Sequence, residues 1–209
     1  MTIEQIKPTI TPKGLAELAI THGALQKPNE LEKLAEFVIG RPHKTVLEIG
    51  TCKGGTLWFW HHLPNNNTVV SVDMPNGEFG GGPTSDDRDK ILNWVSDKQN
   101  TILVTGDSHK EETLTEVKEA LAGELADILF IDGDHTYEGV KKDFEMYSPL
   151  VKNGGLIVLH DIVDHSESNP ACQVEKFWQE LTTTIYPMGI FWAIIDPARC
   201  WAGIGVMQW

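Results

Sequence analysis

The segment Phe130-Ile-Asp-Gly-Asp-His135 sets two carboxylates and an imidazole close together: Asp132, Asp134 and His135. A second segment, Val158-Leu-His-Asp161, puts the imidazole of His160 beside the carboxylate of Asp161. Both follow apolar runs of the kind that form buried strands. Adjacent strands lie about 4.8 Å apart, so groups at neighbouring strand ends converge on one point. Carboxylates gathered there repel one another unless a cation sits between them or one keeps a proton. Hard oxygen donors favour Mg²⁺, with Mn²⁺ or Ca²⁺ as alternatives, whereas an imidazole ligand favours Mn²⁺, Fe²⁺ or Zn²⁺ over Mg²⁺. Asp132, Asp134 and Asp161 are the candidate ligands. His160 is a further ligand, an orienting neighbour or a base. A neutral imidazole, with a pKa of about 6.5, takes a proton from an alcohol at neutral pH, which makes His135 a candidate general base. The plainer alternative is that these acids only cap helices and loops.

Upstream, Thr45-Val-Leu-Glu-Ile-Gly-Thr-Cys52 runs into Lys53-Gly54-Gly55-Thr56. Glycine lets a chain turn sharply and approach a ligand with no Cβ in the way. A strand, a glycine turn and a helix N-terminus make a nucleotide-type site at the carboxyl edge of a parallel sheet. The order does not match G-x-G-x-x-G. Asp73 ends the next apolar run, about 20 residues beyond the turn, where an acid can accept hydrogen bonds from both ribose hydroxyls. Asp107, in Val104-Thr-Gly-Asp-Ser-His109, reaches the same edge. It can meet a base amino group or, with Ser108, cap the following helix.

These residues need a scaffold that brings strand ends together, and the patterning supplies one. Apolar β-branched runs at 45–49, 68–72, 101–105, 126–131 and 156–159 alternate with helical stretches at 54–62, 85–97, 111–122 and 137–151. That alternation predicts an α/β fold, a parallel sheet covered on both faces. Residues 174–182 read as another helix, and 190–195 and 201–208 as a closing antiparallel pair at the sheet edge. Two helices at 12–21 and 28–39 precede the first strand. The expected organisation is a helical cap over residues 1–40 and one domain over 41–209. The loops 74–84 and 161–171 open on the carboxyl edge, where long loops commonly carry function.

The net charge is −13, from 30 acids against 17 bases. A polyanionic partner is repelled on average, which argues against nucleic acid. No run approaches the ~20 apolar residues of a membrane span. The first residues lack the apolar centre of a signal peptide. Cys52, Cys172 and Cys200 are too few and too far apart for a disulfide framework or a zinc motif, so a cytoplasmic location is expected. His43, His61, His62, His109 and His165 are expected as solvent-facing or capping groups, with His109 and His165 near the cleft but outside the site. Trp58 and Trp60 read as packing. Trp178, Trp192 and Trp201 are core residues or, alternatively, the lining of an acceptor pocket.

Taken in order, Glu48-x-Gly50-x-x-x-Gly54, Asp73, Gly106-Asp-Ser-His109, Ile131-Asp-Gly-Asp-His135 and His160-Asp161 resemble class I S-adenosylmethionine-dependent methyltransferases. More narrowly, they are similar to the branch with cephalosporin-hydroxylase-like proteins and macrolide-sugar O-methyltransferases. The glycine-rich loop after Asp73 and the closing Trp201-Ala-Gly-Ile-Gly-Val206 fit that branch. The resemblance runs from residue 45 onward and leaves 1–40 outside. It implies a Rossmann-like, doubly wound sheet of seven strands, mostly parallel with an antiparallel last strand. It implies S-adenosylmethionine held by Glu48, Gly50, Thr51 and Gly54 at its methionine end, by Asp73 at the ribose and by Asp107 and Ser108 at the adenine. It also implies a divalent metal on Asp132, Asp161 and His160, with Asp132 touching the cofactor too and acting in catalysis, and His135 as base. The better-known relatives carry an acid or amide where this chain has His160. The implied reaction is metal-assisted O-methylation of a small-molecule hydroxyl on a sugar, polyketide or catechol. Two rivals stand beside it: an NAD-dependent oxidoreductase, and a cofactor-binding module without methyl transfer. The N-terminal helices and the Trp-rich C-terminus are the expected contact surfaces of a homo-oligomer.

Overall fold

A computed structural model describes residues 11–64, 68–75, 82–94, 100–165, 167–197 and 201–209. Seven strands form one sheet: β1 (Thr45–Ile49), β2 (Thr68–Asp73), β3 (Asn100–Thr105), β4 (Ala126–Ile131), β5 (Val151–His160), β6 (Ile190–Ile194) and β7 (Ile204–Gln208). Their spatial order is β3-β2-β1-β4-β5-β7-β6. The first five pair in parallel, while β7 runs antiparallel to both β5 and β6. The closing pair is thus present, but the last strand is inserted between β5 and β6 rather than lying outermost. All five residues of β1 are buried, as expected for a strand covered on both faces.

The helices are α1 (Pro12–Thr21), α2 (Pro28–Ile39), α3 (Gly55–His62), α4 (Ser85–Trp94), α5 (Glu111–Ala120), α6 (Tyr137–Tyr147) and α7 (Val174–Glu180). Proline opens both α1 and α2, where its missing N–H costs no hydrogen bond. Leu15, Leu31, Leu34 and Val38 of these two helices share a core with Trp60 of α3 and with Val46, Phe130 and Val158 of the sheet. The opposite face is covered by α5, α6 and α7 through Val117, Phe144, Tyr147 and Phe177. Burial of Leu-, Phe- and Trp-sized side chains at about 25 cal/mol per Å² makes these two layers the main source of stability.

Several boundaries differ from the sequence expectation. The helix expected over 137–151 ends at Tyr147, and a 3₁₀ turn, Ser148–Leu150, follows it. Pro149 in that turn cannot continue an α-helix. β5 then starts at Val151, which pairs with Ala126, instead of at residue 156. β7 starts at Ile204 because Ala202 and Gly203 have φ of 68° and 88°, which breaks the extended run. The helix expected over 174–182 gives way to a π turn, Leu181–Ile185. Residues 95–97 of the helix expected over 85–97 lie outside the described residues.

The histidine and tryptophan readings divide as well. His43 and His61 are buried, not solvent-facing. The His61 Nδ1 bonds the Thr101 hydroxyl at 2.8 Å, and burial pulls its pKa down to about 4, so the ring is neutral. Trp58 and Trp60 are buried in the core, as expected.

Candidate active site

Strand register decides which side chains meet. Ile49 of β1 lies opposite Ile131 of β4, and Ile131 lies opposite Leu159 of β5. The residues that follow these positions, Gly50, Asp132 and His160, therefore leave the sheet at one edge. The Asp132 N–H donates to the Ile49 carbonyl at 2.8 Å, which extends the ladder one residue past the strands. Asp73 closes β2 at the same edge, opposite Thr105 of β3. A cavity of about 830 Å³ opens there. Gly50, Asp73, Asp107, Ser108, Asp132, His135, His160 and Asp161 all line it.

The glycine turn is built around Asp73. One carboxylate oxygen accepts the N–H groups of Thr51 (2.7 Å) and Cys52 (2.6 Å), and the other accepts that of Met74 (2.7 Å). The turn carries positive φ at Gly50 (100°), Cys52 (47°) and Gly54 (86°). At Gly50 the sheet itself demands glycine, since a Cβ would fall 2.1 Å from the Asp132 carbonyl oxygen. Gly50→Ala combines that clash with a left-handed backbone, and we expect it to cost about 3 kcal/mol or more. Urea unfolding should show the loss as a lower midpoint at unchanged slope; an unchanged midpoint would contradict the close approach.

Glu48, Thr51 and Gly54 are not among the lining residues. Glu48 is 0 % exposed. The Thr51 and Ser71 hydroxyls are 2.6 Å apart, and the Ser71 hydroxyl donates to Glu48. Burial pushes the Glu48 carboxyl up to about 8, against hydrogen bonds from Ser71 and Thr56 that favour its charged form. Glu48 is thus a protonated group at neutral pH, supporting the turn from beneath. Gly54 caps α3 in the left-handed conformation.

The other end of the cavity is an alternating ring of acids and imidazoles. Asp132 Oδ1 lies 3.1 Å from His160 Nδ1 and 3.3 Å from His135 Nε2. Asp161 lies 3.2 Å from His135 Nδ1 and 3.4 Å from His160 Nδ1. Asp161 has φ 62°, a left-handed backbone that aspartate adopts more readily than most residues. Burial opposes ionisation of Asp132, but His160 and His135 beside it outweigh that and hold the carboxyl well below the usual range. The Asp132 and Cys172 contacts, set against burial, raise His135 to about 11. Burial lowers His160, yet Asp132 and Asp161 bring it up to about 10. Without added cations, both rings carry the charge that balances the two acids.

The donor chemistry accommodates a divalent cation. Asp132, His160 and Asp161 each present a ligand atom, all within 4.8 Å of one another. His160 Nε2 is buried with no hydrogen-bond partner, so the ring is fixed from its Nδ1 side.

Sequence reasoning missed two neighbours, Gln26 and Cys172. Gln26, from the loop between α1 and α2, donates its amide to Asp132 Oδ2 at 2.6 Å. Its position outside the motif-bearing stretch gave no signal. Cys172 and His165 also line the cavity. His165 Nε2 accepts the Ala202 N–H at 2.9 Å. His109, placed outside the site in the sequence reading, lines the cavity with its Nε2 3.2 Å from the buried Asp143. Asp107 faces the cavity and accepts the His109 N–H at 2.9 Å in a local turn. It does not cap the following helix, whose N-cap, Lys110, receives no side-chain cap bond. The loop after Asp73 lies outside the described residues from 76 to 81.

This strand order, with its single inserted antiparallel strand and its site at the carboxyl edge, is the Rossmann-like fold of class I methyltransferases. Residues 47–162 match the family model described as a methyltransferase domain, and the chain belongs to that family. Similar solved structures include an O-methyltransferase from Bacillus cereus in complex with S-adenosylhomocysteine. It is 18% identical with a TM-score of 0.61, over 99% of this chain and 94% of that one. TomG from Streptomyces achromogenes, involved in tomaymycin synthesis and solved with S-adenosylmethionine, is 16% identical with a TM-score of 0.61, over 93% and 88%. MycE from the mycinamycin biosynthetic pathway, solved with Mg, S-adenosylhomocysteine and mycinamycin VI, is 16% identical with a TM-score of 0.62, over 96% of this chain and 55% of that one. An uncharacterized protein of Acanthamoeba polyphaga mimivirus is 29% identical over 135 residues, 65% of this chain. The chain spans 58% of the length of that curated relative. Among the described residues, no helix is long and apolar enough to cross a membrane.

Proposed function

We propose that the chain transfers the methyl group of S-adenosylmethionine to a hydroxyl of a small-molecule acceptor, with a divalent cation, Mg²⁺ or Mn²⁺, at the acidic end of the site. The observation that carries this reading is the shared cavity. The glycine turn with Asp73 and Asp107 lines it together with the ring of Asp132, His135, His160 and Asp161.

In this reading Asp73 takes the ribose. Its oxygens already order the turn, so cofactor and turn depend on the same carboxylate. Asp107 and Ser108 take the adenine side, and Gly50 lets the methionine end approach the backbone. Asp132, Asp161 and His160 hold the cation. When bound, the cation supplies positive charge that offsets the two carboxylates and favours an ionised acceptor hydroxyl. His135, with its side chain 39% exposed, is protonated in the cation-free site, with Asp132 on its Nε2 and Asp161 on its Nδ1. It serves as base once those carboxylates turn to a cation and the ring gives up that proton to solvent, and it then receives the acceptor's proton. The acceptor oxygen forms the new C–O bond as the C–S bond breaks. The sulfur keeps the electron pair, leaving S-adenosylhomocysteine. The protein's part is in-line positioning and the proton. The helices of residues 1–40 act as a cap that fixes Asp132 through Gln26. A reducing, cytoplasmic setting accords with free thiols at Cys52 and Cys172.

The test is transfer of labelled methyl from S-adenosylmethionine to a panel of sugar, polyketide and catechol hydroxyls, with and without a chelator. Label in a product, one S-adenosylhomocysteine per transfer and loss with chelator are the expected results. Absence of label across the panel, together with binding of a nicotinamide dinucleotide, would overturn the reading.

A further inference from the structure

Cys172 lies at the acidic end of the cavity, and the proposed reaction does not use its chemistry. It is buried, 7% exposed, and it lines the cavity. His135, Asp161 and Cys172 each present a ligand atom, all within 4.8 Å of one another. The backbone holds this arrangement in place. The Gln173 N–H donates to the His135 carbonyl at 2.7 Å, and the Cys172 N–H donates to the Asn169 carbonyl at 3.0 Å. The thiol is thus tied to the residue that carries the imidazole.

We infer that His135, Asp161 and Cys172 form a second cation seat, selective for thiophilic ions such as Zn²⁺, overlapping the first seat at Asp161. A thiolate, an imidazole and a carboxylate are a donor set for Zn²⁺, which takes three protein ligands and leaves a fourth position open. Mg²⁺ binds thiolate poorly and prefers oxygen. His165 does not complete the set, because its Nε2 already accepts the Ala202 N–H. The consequence rests on the reading above: an ion in this seat engages the proposed base and withdraws Asp161 from the hard-ion seat. Zn²⁺ then inhibits by occupying the base, while Mg²⁺ or Mn²⁺ supports transfer.

The test uses Co²⁺ as the probe on the full chain, titrated in parallel into wild type and Cys172→Ser. A thiolate-to-cobalt charge-transfer band in the near ultraviolet, rising to one equivalent in wild type and absent in Cys172→Ser, is expected. Zn²⁺ should displace the band. In competition with a chromophoric chelator, Zn²⁺ should bind Cys172→Ser at least about tenfold more weakly, since even loss of an outer partner costs about 10–100-fold. Cys172→Ala gives the same comparison if the serine variant does not fold. No band in wild type, a band that persists in both variants, or unchanged Zn²⁺ affinity would overturn the seat. S-adenosylhomocysteine calorimetry on the same samples separates the two ideas. Binding without the band overturns the seat alone, whereas the band without binding supports the seat and removes the methyltransferase reading beneath its inhibitory role.

Discussion

Asp132→Asn is expected to lower the rate of methyl transfer by about 10²–10⁴, the range in which a positioned proton-transfer group contributes. One carboxylate serves three partners: Gln26 at 2.6 Å, His160 at 3.1 Å and His135 at 3.3 Å. An amide cannot accept from all three and brings no charge. His135 loses the counter-charge at its Nε2 and keeps only Asp161, 3.2 Å from its Nδ1, and the cation loses the carboxylate beside His160. The His160 ring has its raised pKa from Asp132 and Asp161, so the variant lets it become neutral rather than stranding a buried charge. For that reason the fold should survive. S-adenosylhomocysteine affinity should change by less than about tenfold, or 1.4 kcal/mol. Turnover within a few-fold of wild type would remove Asp132 from the mechanism.

The second large effect concerns stability and pH. Glu48 holds its proton to about pH 8 in the folded chain, against an ordinary value of 4.5. Between these values the native state binds a proton that the unfolded chain has released, so stability falls as pH rises. The contribution is fully present below pH 4.5, is lost progressively up to about pH 8 and is flat above it. Its size is on the order of 4 kcal/mol. Glu48→Gln keeps an oxygen to accept from Ser71 but does not titrate. The variant should therefore gain on wild type as pH rises, with little difference at pH 5 and a gain of several kcal/mol at pH 9. Paired urea titrations at the two pH values measure it. A difference that does not change with pH would show that Glu48 is ionised in the fold.

The site was legible where a short motif at a strand end fixed its own position. Asp73, Asp132, His135 and Asp161 could be read this way, because apolar runs placed each of them at a carboxyl edge and parallel pairing brought those edges together. The antiparallel pairing of the last two strands was legible from their spacing. The insertion of β7 was not, because pairing partners across a sheet leave no local trace. Glu48 illustrates a different limit. Its place in the motif marks it as important, but alternation alone cannot tell a residue facing the ligand from one lying beneath the turn. Gln26 was invisible, since its contact with Asp132 spans 106 residues and only the packing of α1 and α2 on the sheet creates it. His165 and Cys172 come from an irregular loop, where no periodicity points a side chain.

The most direct measurement is calorimetric titration of S-adenosylhomocysteine into wild type and Asp73→Ala, with and without Mn²⁺. The account predicts one site per chain in wild type and its loss in Asp73→Ala, because that carboxylate both orders the turn through Thr51 and Cys52 and receives the ribose. Absence of binding to wild type, with or without the cation, would contradict it.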